Sequence, residues 1–182
     1  GRKLLHLVNQ LLDFRKAESG AMPIHVTISN VDELANNVFT MFKENAQKRN
    51  MTYQLQSELK GSQYPIDRTY LEMMLTNLLS NAFKFTPDGG TIILSLNKAG
   101  KFFQISVKDN GVGIPPAKLS RIFERFYQVE RHRGQASTGL GLAICKHIIE
   151  RHGGHIRAES PAPDGSTALV FTLTPVHGAA HS

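Results

Sequence analysis

Apolar residues recur along the chain in two periods, and the changes between them sketch an order of elements. Leu4, Val8, Leu11 and Leu12 fall at helical spacing and Gly20 ends the run, so residues 3–19 read as an amphipathic helix. Such a stripe is expected to pack on a partner helix, as the end of a longer one. Gly20 to Pro23 reads as a linker, and residues 24–28 alternate as a strand does. Asn30 or Asp32 is placed to cap a helix carrying Val31, Leu34, Ala35, Val38, Phe39 and Phe42. Short strands are predicted at 51–55 and 63–66. A long helix opens at Asp67 and runs to about Lys84. Residues 91–96 and 102–108 form a predicted hairpin around Ala99-Gly100.

From 115 to 138 the pattern is mixed, with a short helix predicted near 119–126 and a polar loop after it. A further helix spans about 140–152 and stops at Gly153-Gly154. Strands at 155–159 and 167–174 follow, joined by a Pro/Gly turn at 161–165. Residues 177–182 read as a flexible tail. The sum is a helix followed by an α+β domain with mostly antiparallel strands.

Composition narrows this picture only slightly. The 182 residues include 41% hydrophobic and 20% charged side chains, which suits a soluble globular domain with a buried core. No apolar run is long enough to cross a bilayer and no signal segment opens the chain. Any membrane span of a parent protein is therefore expected outside this stretch. The net charge of +6 raises nucleic acid as a partner, but the basic residues are dispersed and no nucleic-acid motif accompanies them. A solvated surface with attraction to a polyphosphate is the better account. The single cysteine, Cys145, lies among Ala143, Ile144, Ile148 and Ile149 and reads as a buried core residue. His147, His152 and His155 lack metal-ligand spacing and read as structural or solvent-facing.

Four segments carry chemistry. On the long helix Asn77, Asn81 and Lys84 stand at i, i+4 and i+7 and share one narrow face. An Asn oxygen is a hard ligand suited to Mg²⁺, and a lysine meets phosphate as a point charge. On these three residues alone, a solvated helix face remains the simpler account. Next, Asp109-Asn110-Gly111-Val112-Gly113-Ile114 follows a strand. A carboxylate there accepts from an exocyclic amine, which adenine offers at position six and guanine does not. The glycines let the backbone approach a flat ligand. A plain Asp-Asn-Gly turn is the alternative. Third, Ser137-Thr138-Gly139-Leu140-Gly141-Leu142-Ala143 opens a helix, whose backbone amides favour phosphate. Between these lies Phe123-Glu124-Arg125-Phe126-Tyr127 and a polar stretch rich in Gly, Gln and Arg, which suits a lid or an ordinary surface loop.

Taken together, the order and spacing are specific. Asn77 to Pro87, Asp109 to Ile114, Phe123 to Phe126 and Gly139 to Ala143 resemble the four boxes of the sensor histidine kinase catalytic domain, over about residues 24–175. The resemblance implies the Bergerat ATP-binding fold, a two-layer α/β sandwich in which helices back a mixed, mostly antiparallel sheet. It implies ATP and Mg²⁺ as cofactors. Asn81 then resembles the Mg²⁺ ligand, Asn77 and Lys84 phosphate-side contacts, and Asp109 the adenine-amine acceptor, with Gly111 and Gly113 shaping its pocket. Gly139 and Gly141 resemble lid glycines. Phe85, Ile114, Phe126, Thr138, Leu140 and Leu142 complete the expected nucleotide contacts. Arg125, Arg131 and Arg133 are candidates for the γ-phosphate, with Arg125 taken beside Asn77 and Lys84 as catalytic. Many family members carry an arginine where this chain has Gln128.

The resemblance extends to the first helix, where Asn9-Gln-Leu-Leu-Asp-Phe-Arg15 is similar to the end of the second dimerisation helix of such kinases. The implied domains are residues 1–20 as the end of that helix, 21–176 as the catalytic domain and 177–182 as tail. The style is similar to that of hybrid two-component sensors. Implied partners are the chain's own dimerisation and phosphoacceptor domain, a response regulator receiver domain and, in the full-length protein, a second copy. The implied place is the cytoplasmic side of a membrane-anchored sensor. His6 is not in a phosphoacceptor context, so the accepting histidine is expected elsewhere. Two rivals share the fold: a conformational ATPase and a non-catalytic nucleotide sensor. Fold relatives that hydrolyse ATP resemble one another in carrying Glu where Asn77 stands. Asn cannot remove a proton from water, which favours phosphotransfer.

Overall fold

The computed structural model describes residues 23–125, 127, 141–161 and 165–173, with residues 168–173 described by their backbone alone. It also describes helical residues at 4–5, 8–9, 11–12 and 15–16. The sequence reading of 162–164 and of the tail at 177–182 lies outside the described residues.

Leu4, Leu5, Val8, Leu11 and Leu12 are helical and exposed, so among the described residues the apolar stripe expected on the first helix is present. The chain enters the domain at Pro23. The first strand, β1, spans Thr27–Asn30 rather than 24–28. Its place is decided by pairing with β3, Gln63–Ile66, through Thr27 opposite Ile66 and Asn30 opposite Gln63. That pairing turns Ser29 inward and leaves Ile28 exposed, which reverses the apolar alternation.

Helix α1, Val31–Met41, is capped by Asn30, whose Oδ1 accepts from the Glu33 amide at 3.2 Å. Asp32 is not the cap. Its carboxylate instead accepts from Ser57 Oγ and from the Gly61 amide, tying the turn after β2, Thr52–Ser57. The apolar run breaks at Phe42, and a short second helix, α2, follows at Lys43–Lys48. Phe42 stacks on Phe83 at 5.2 Å, and Tyr53 stacks on Phe39 at 4.0 Å.

The long helix α3 spans Arg68–Phe85, with Asp67 as its cap. Tyr70, Leu71, Met74, Leu75, Leu78, Leu79, Ala82 and Phe83 form its buried stripe. This stripe packs on β4, Thr91–Ala99, and β5, Phe102–Asp109, the expected hairpin. Ile92, Leu94 and Leu96 of β4 and Phe103, Ile105 and Val107 of β5 are buried at alternate positions, which is the one-sided burial of a sheet covered by helices. At about 25 cal/mol per Å² of apolar area, such a stripe is what holds α3 in place rather than its intrinsic helix propensity.

The segment after β5 differs from expectation. Among its described residues there is a 3₁₀ turn at Pro116–Lys118 and no α-helix near 119–126. Successive bonds from Lys118 to Pro115, Arg121 to Lys118, Glu124 to Arg121 and Tyr127 to Glu124 all span three residues. Pro115 and Pro116 start that tighter winding and the chain never relaxes into the α repeat. Helix α4, Gly141–Arg151, buries Ala143, Ile144, Cys145, Ile148 and Ile149. It ends as expected: Gly153 has φ +78 and the Gly154 amide returns to the Ile149 carbonyl at 2.9 Å. Strands β6, His155–Glu159, and β7, Thr167–Leu173, complete a five-stranded sheet of order β2-β4-β5-β7-β6. β2 runs parallel to β4 and the other pairings are antiparallel, so the sheet is mixed. The architecture is the α+β arrangement of a mixed sheet and helices. Among the described residues, no helix is long and apolar enough to cross a membrane.

Candidate functional site

Helix α3 is fixed at both ends. At its start Asp67 is buried, and its carboxylate accepts from the Tyr70 amide at 3.2 Å and the His25 amide at 2.7 Å. At its end Arg49 donates from Nη1 to the Phe83 carbonyl at 2.6 Å, from Nη2 to the Thr86 carbonyl at 2.5 Å and from Nε to Asp88 at 2.6 Å. Terminal helix carbonyls need such donors, and a guanidinium supplies several from one fork. Between these anchors Asn77, Asn81 and Lys84 lie beside the buried stripe and are each half-buried. Burial lowers the Lys84 ammonium from its ordinary pKa, and the ammonium sits 5.4 Å from the Phe85 ring centre.

The strand-end loop meets α3 at Phe85. The Val112 amide donates to the Phe85 carbonyl at 3.4 Å. A β-carbon on Gly111 would stand 3.0 Å from the Phe85 carbonyl carbon and 2.9 Å from Asp109 Oδ1, closer than side chains tolerate. Glycine is therefore a packing requirement at this junction. Asp109 Oδ1 accepts from the Gly111 amide at 2.8 Å. Burial pushes the Asp109 carboxyl above the usual carboxylate range, while the Gly111 N–H works the other way. Asn110 is structural: its Oδ1 accepts from the Thr91 amide at 2.7 Å and pins the loop to β4.

Two residues that sequence reasoning did not select complete this corner. Thr167 lies directly opposite Asp109 in the β5–β7 register. Its Oγ1 is 3.0 Å from Ser160 Oγ, and Ser160 Oγ accepts from the Ile114 amide at 2.8 Å. Both hydroxyl residues are buried. A β-carbon on Gly113 would face Ser160 Oγ at 3.3 Å, and Gly113 has φ +75. No local pattern marks Ser160 or Thr167. Only the pairing of β5 with β7, distant in sequence, places Thr167 opposite Asp109, and Thr167 in turn meets Ser160.

The third segment reaches α3 through Gly141, the first residue of α4. A β-carbon there would meet Asn77 Oδ1 at 3.7 Å and Cγ at 3.8 Å. Leu142 is half-buried and packs on the core. Cys145, one turn on, is buried as expected, and burial pushes its thiol up to about 12. Arg125 is exposed after the 3₁₀ turn. Phe123 packs against the core, and Arg121 lies 4.4 Å over the Tyr127 ring. Phe126, Gln128, Arg131, Arg133, Thr138, Gly139 and Leu140 lie outside the described residues, as does His6. His152 is buried with its Nδ1 2.8 Å from the Ile148 carbonyl, which is the structural role expected of it. Among the described residues no group of three or more His, Cys, Asp or Glu could hold a metal unaided.

Asn77 thus meets Gly141, Phe85 meets Gly111, and Asp109 and Gly113 meet Thr167 and Ser160. Amides and an ammonium lie on the helical side, with a buried carboxylate among glycines on the sheet side. This division suits a ligand with a polyphosphate at one end and a flat amine-bearing base at the other.

Comparison with known proteins agrees. The family described as histidine kinase-, DNA gyrase B- and HSP90-like ATPases matches residues 66–177. Histidine kinase P4 of Formosa agariphila is 37% identical over 85% of this chain and 12% of its own length. The chain therefore spans only a small part of that relative. The catalytic domain of histidine kinase ThkA superposes with TM-score 0.75 and 29% identity, over 84% of this chain and 96% of that domain. Full-length ShkA in complex with AMPPNP superposes with TM-score 0.82 and 26% identity, over 93% of this chain and 35% of its own. The chain belongs to the histidine kinase-, DNA gyrase B- and HSP90-like ATPase family, as an ATP-binding catalytic domain of the sensor histidine kinase type.

Proposed function

We propose that this domain binds ATP with Mg²⁺ and hands the γ-phosphoryl group to a histidine on a separate dimerisation domain, for relay to a response regulator. The observation that carries this reading is Asn77. It stands against the start of α4, where phosphates would be received, and it is an amide. An amide cannot take a proton from water, so the position lacks the base that hydrolysis needs. Catalysis would then rest on positioning and charge stabilisation.

In this reading Asp109 accepts the adenine amine in a pocket bounded by Phe85, Gly111, Gly113 and Ile114. Asn77 and Lys84 contact the phosphate side with Gly141 and Leu142, and Arg125 supplies positive charge to the transferring group. Phe126, Thr138, Gly139 and Leu140 serve as lid contacts. The donor set fits Mg²⁺ rather than a metal caged by protein: Asn81 offers one amide oxygen, and the phosphates supply further oxygens. When bound, Mg²⁺ would neutralise charge between the phosphates. The exposed leucines of the first helix suit the end of a dimerisation helix in residues 1–20 that pairs with a second copy, with 21–176 as catalytic domain. ThkA has been solved in complex with the response regulator protein TrrA, which supports a receiver domain as downstream partner. In this reading the domain works on the cytoplasmic side of a sensor, where ATP is available.

The test supplies a phosphoacceptor domain in trans with labelled ATP and Mg²⁺. Acid-labile label on that domain, lost when its histidine is replaced, is the expected result. ATP binding with no transfer would leave a nucleotide-dependent interaction module in place of a kinase.

A further inference from the structure

Polar groups from three separate parts of the chain gather around Gly113. Asp109 ends β5, and Thr167 stands directly opposite it at the start of β7. Opposed residues of an antiparallel pair turn their side chains to the same face of the sheet. Thr167 therefore lies on the face shared by Asp109 and the buried Ile105 and Val107, which is the face the helices cover. Ser160, just past β6, joins the two sides. Its Oγ accepts from the Ile114 amide at 2.8 Å, across 46 residues of chain, and lies 3.0 Å from Thr167 Oγ1. Ser160 and Thr167 are each 8% exposed. The Gly113 backbone passes close to both hydroxyls: a β-carbon there would stand 3.3 Å from Ser160 Oγ and 3.7 Å from Thr167 Oγ1.

We propose that Ser160 is a positioning residue for base recognition: it fixes the Gly113–Ile114 wall of the pocket relative to Asp109 and thereby sets the preference for a 6-aminopurine. The inference rests on the adenine-side role assigned to Asp109 above. Asp109 Oδ1 is already engaged by the Gly111 amide at 2.8 Å, so the base amine falls to Oδ2. A hydrogen bond to one carboxylate oxygen tolerates little error in angle. A flat base has no shape of its own to prevent it sliding in its plane, and the wall that stops it is main chain. That main chain is held by one hydroxyl at Ile114, and the same hydroxyl meets the strand residue opposite Asp109. Without it the wall and the acceptor are free to move apart. The directional bond to the amine then weakens, while a base lacking the amine has no such bond to lose.

The experiment measures two ligands on the 182-residue chain: Mg·ATP, and the triphosphate of purine riboside, which has the same sugar and phosphates and no amine. Ser160→Ala, Ser160→Cys and Asp109→Asn are compared with the parent by titration calorimetry, each confirmed folded by its unfolding transition. The parent is expected to prefer ATP by at least about tenfold. Ser160→Ala is expected to bind ATP about fivefold more weakly, the worth of one ordinary hydrogen bond, and the analogue within about twofold of the parent. Ser160→Cys keeps a heteroatom that accepts weakly, and its preference should fall between those of parent and alanine variant. A merely structural serine lowers both ligands alike and leaves the preference where it was, and that result would overturn the proposal. Parental affinity for ATP in Ser160→Ala would do the same. If Asp109→Asn keeps the parental preference for ATP, the role assigned to Asp109 falls and the positioning proposal with it. If Asp109→Asn loses the preference and Ser160→Ala keeps it, positioning alone is refuted.

Discussion

The Phe85 carbonyl and Gly111 are joined so closely that no side chain fits between them. A β-carbon on Gly111 would lie 3.0 Å from the Phe85 carbonyl carbon and nearer still to its oxygen. The junction binds the end of the Asn-bearing helix to the loop that carries Asp109. Gly111→Ala is therefore expected to push backbone against backbone, costing about 2 kcal/mol of stability. Urea unfolding measures this, and ATP affinity should fall with it.

Asp109→Asn keeps an oxygen for the Gly111 amide but removes the charge. ATP binding is expected to weaken by at least about tenfold, with little change in the unfolding transition. Titration calorimetry decides the matter, and unchanged affinity would remove Asp109 from the adenine pocket.

Acidity should act on the same carboxyl in two opposite ways. Unfolded, Asp109 loses its proton near pH 4, whereas the folded group holds it to higher pH. Between those two points the folded state binds more protons. The contribution of Asp109 to stability is therefore full at low pH and is lost as pH rises through the folded value. Affinity for ATP runs the other way, since the acceptor must be ionised. Comparing the parent with Asp109→Asn across acidic pH should show both trends in the parent alone.

Arg49 spans three acceptors at the end of α3, two of them main-chain carbonyls. A lysine carries the charge without the planar fork. Arg49→Lys is expected to lose about 1–2 kcal/mol in chemical denaturation, and Arg49→Ala more. Its bond to the exposed Asp88 contributes little of this, so Asp88→Ala should be nearly silent.

Ser160 is the acceptor for the Ile114 amide and the neighbour of Thr167. Ser160→Ala leaves a half-buried amide unpaired, at about 1–2 kcal/mol. The loop around Gly113 should loosen, and hydrogen exchange at Ile114 is the measurement.

The elements that local signals specify were legible. Asp67 before a long apolar stripe, and Gly153 after another, mark helix ends through interactions within a few residues. β1 was displaced because its position is set by β3, 36 residues on, and the inward residue proved to be Ser29. The helix expected near 119–126 has apolar residues at suitable spacing, but Pro115 and Pro116 wind the chain into tighter turns. In the site, Asp109 and the asparagines announce themselves by motif. Ser160, Thr167 and Arg49 matter through partners that the fold brings together, and nothing near them in the chain says so.

Asp67 and Phe85 stand at opposite ends of one 18-residue helix, roughly 27 Å long. The first grips the main chain at His25, just inside the point of entry; the second abuts the loop that carries Asp109. One face of the helix is buried along its length, so a displacement at one end is expected to be felt at the other. The incoming segment and the loop that carries Asp109 are thus joined by a single strut. On the proposed function, mechanical work at one end is expected to appear as altered nucleotide grip at the other.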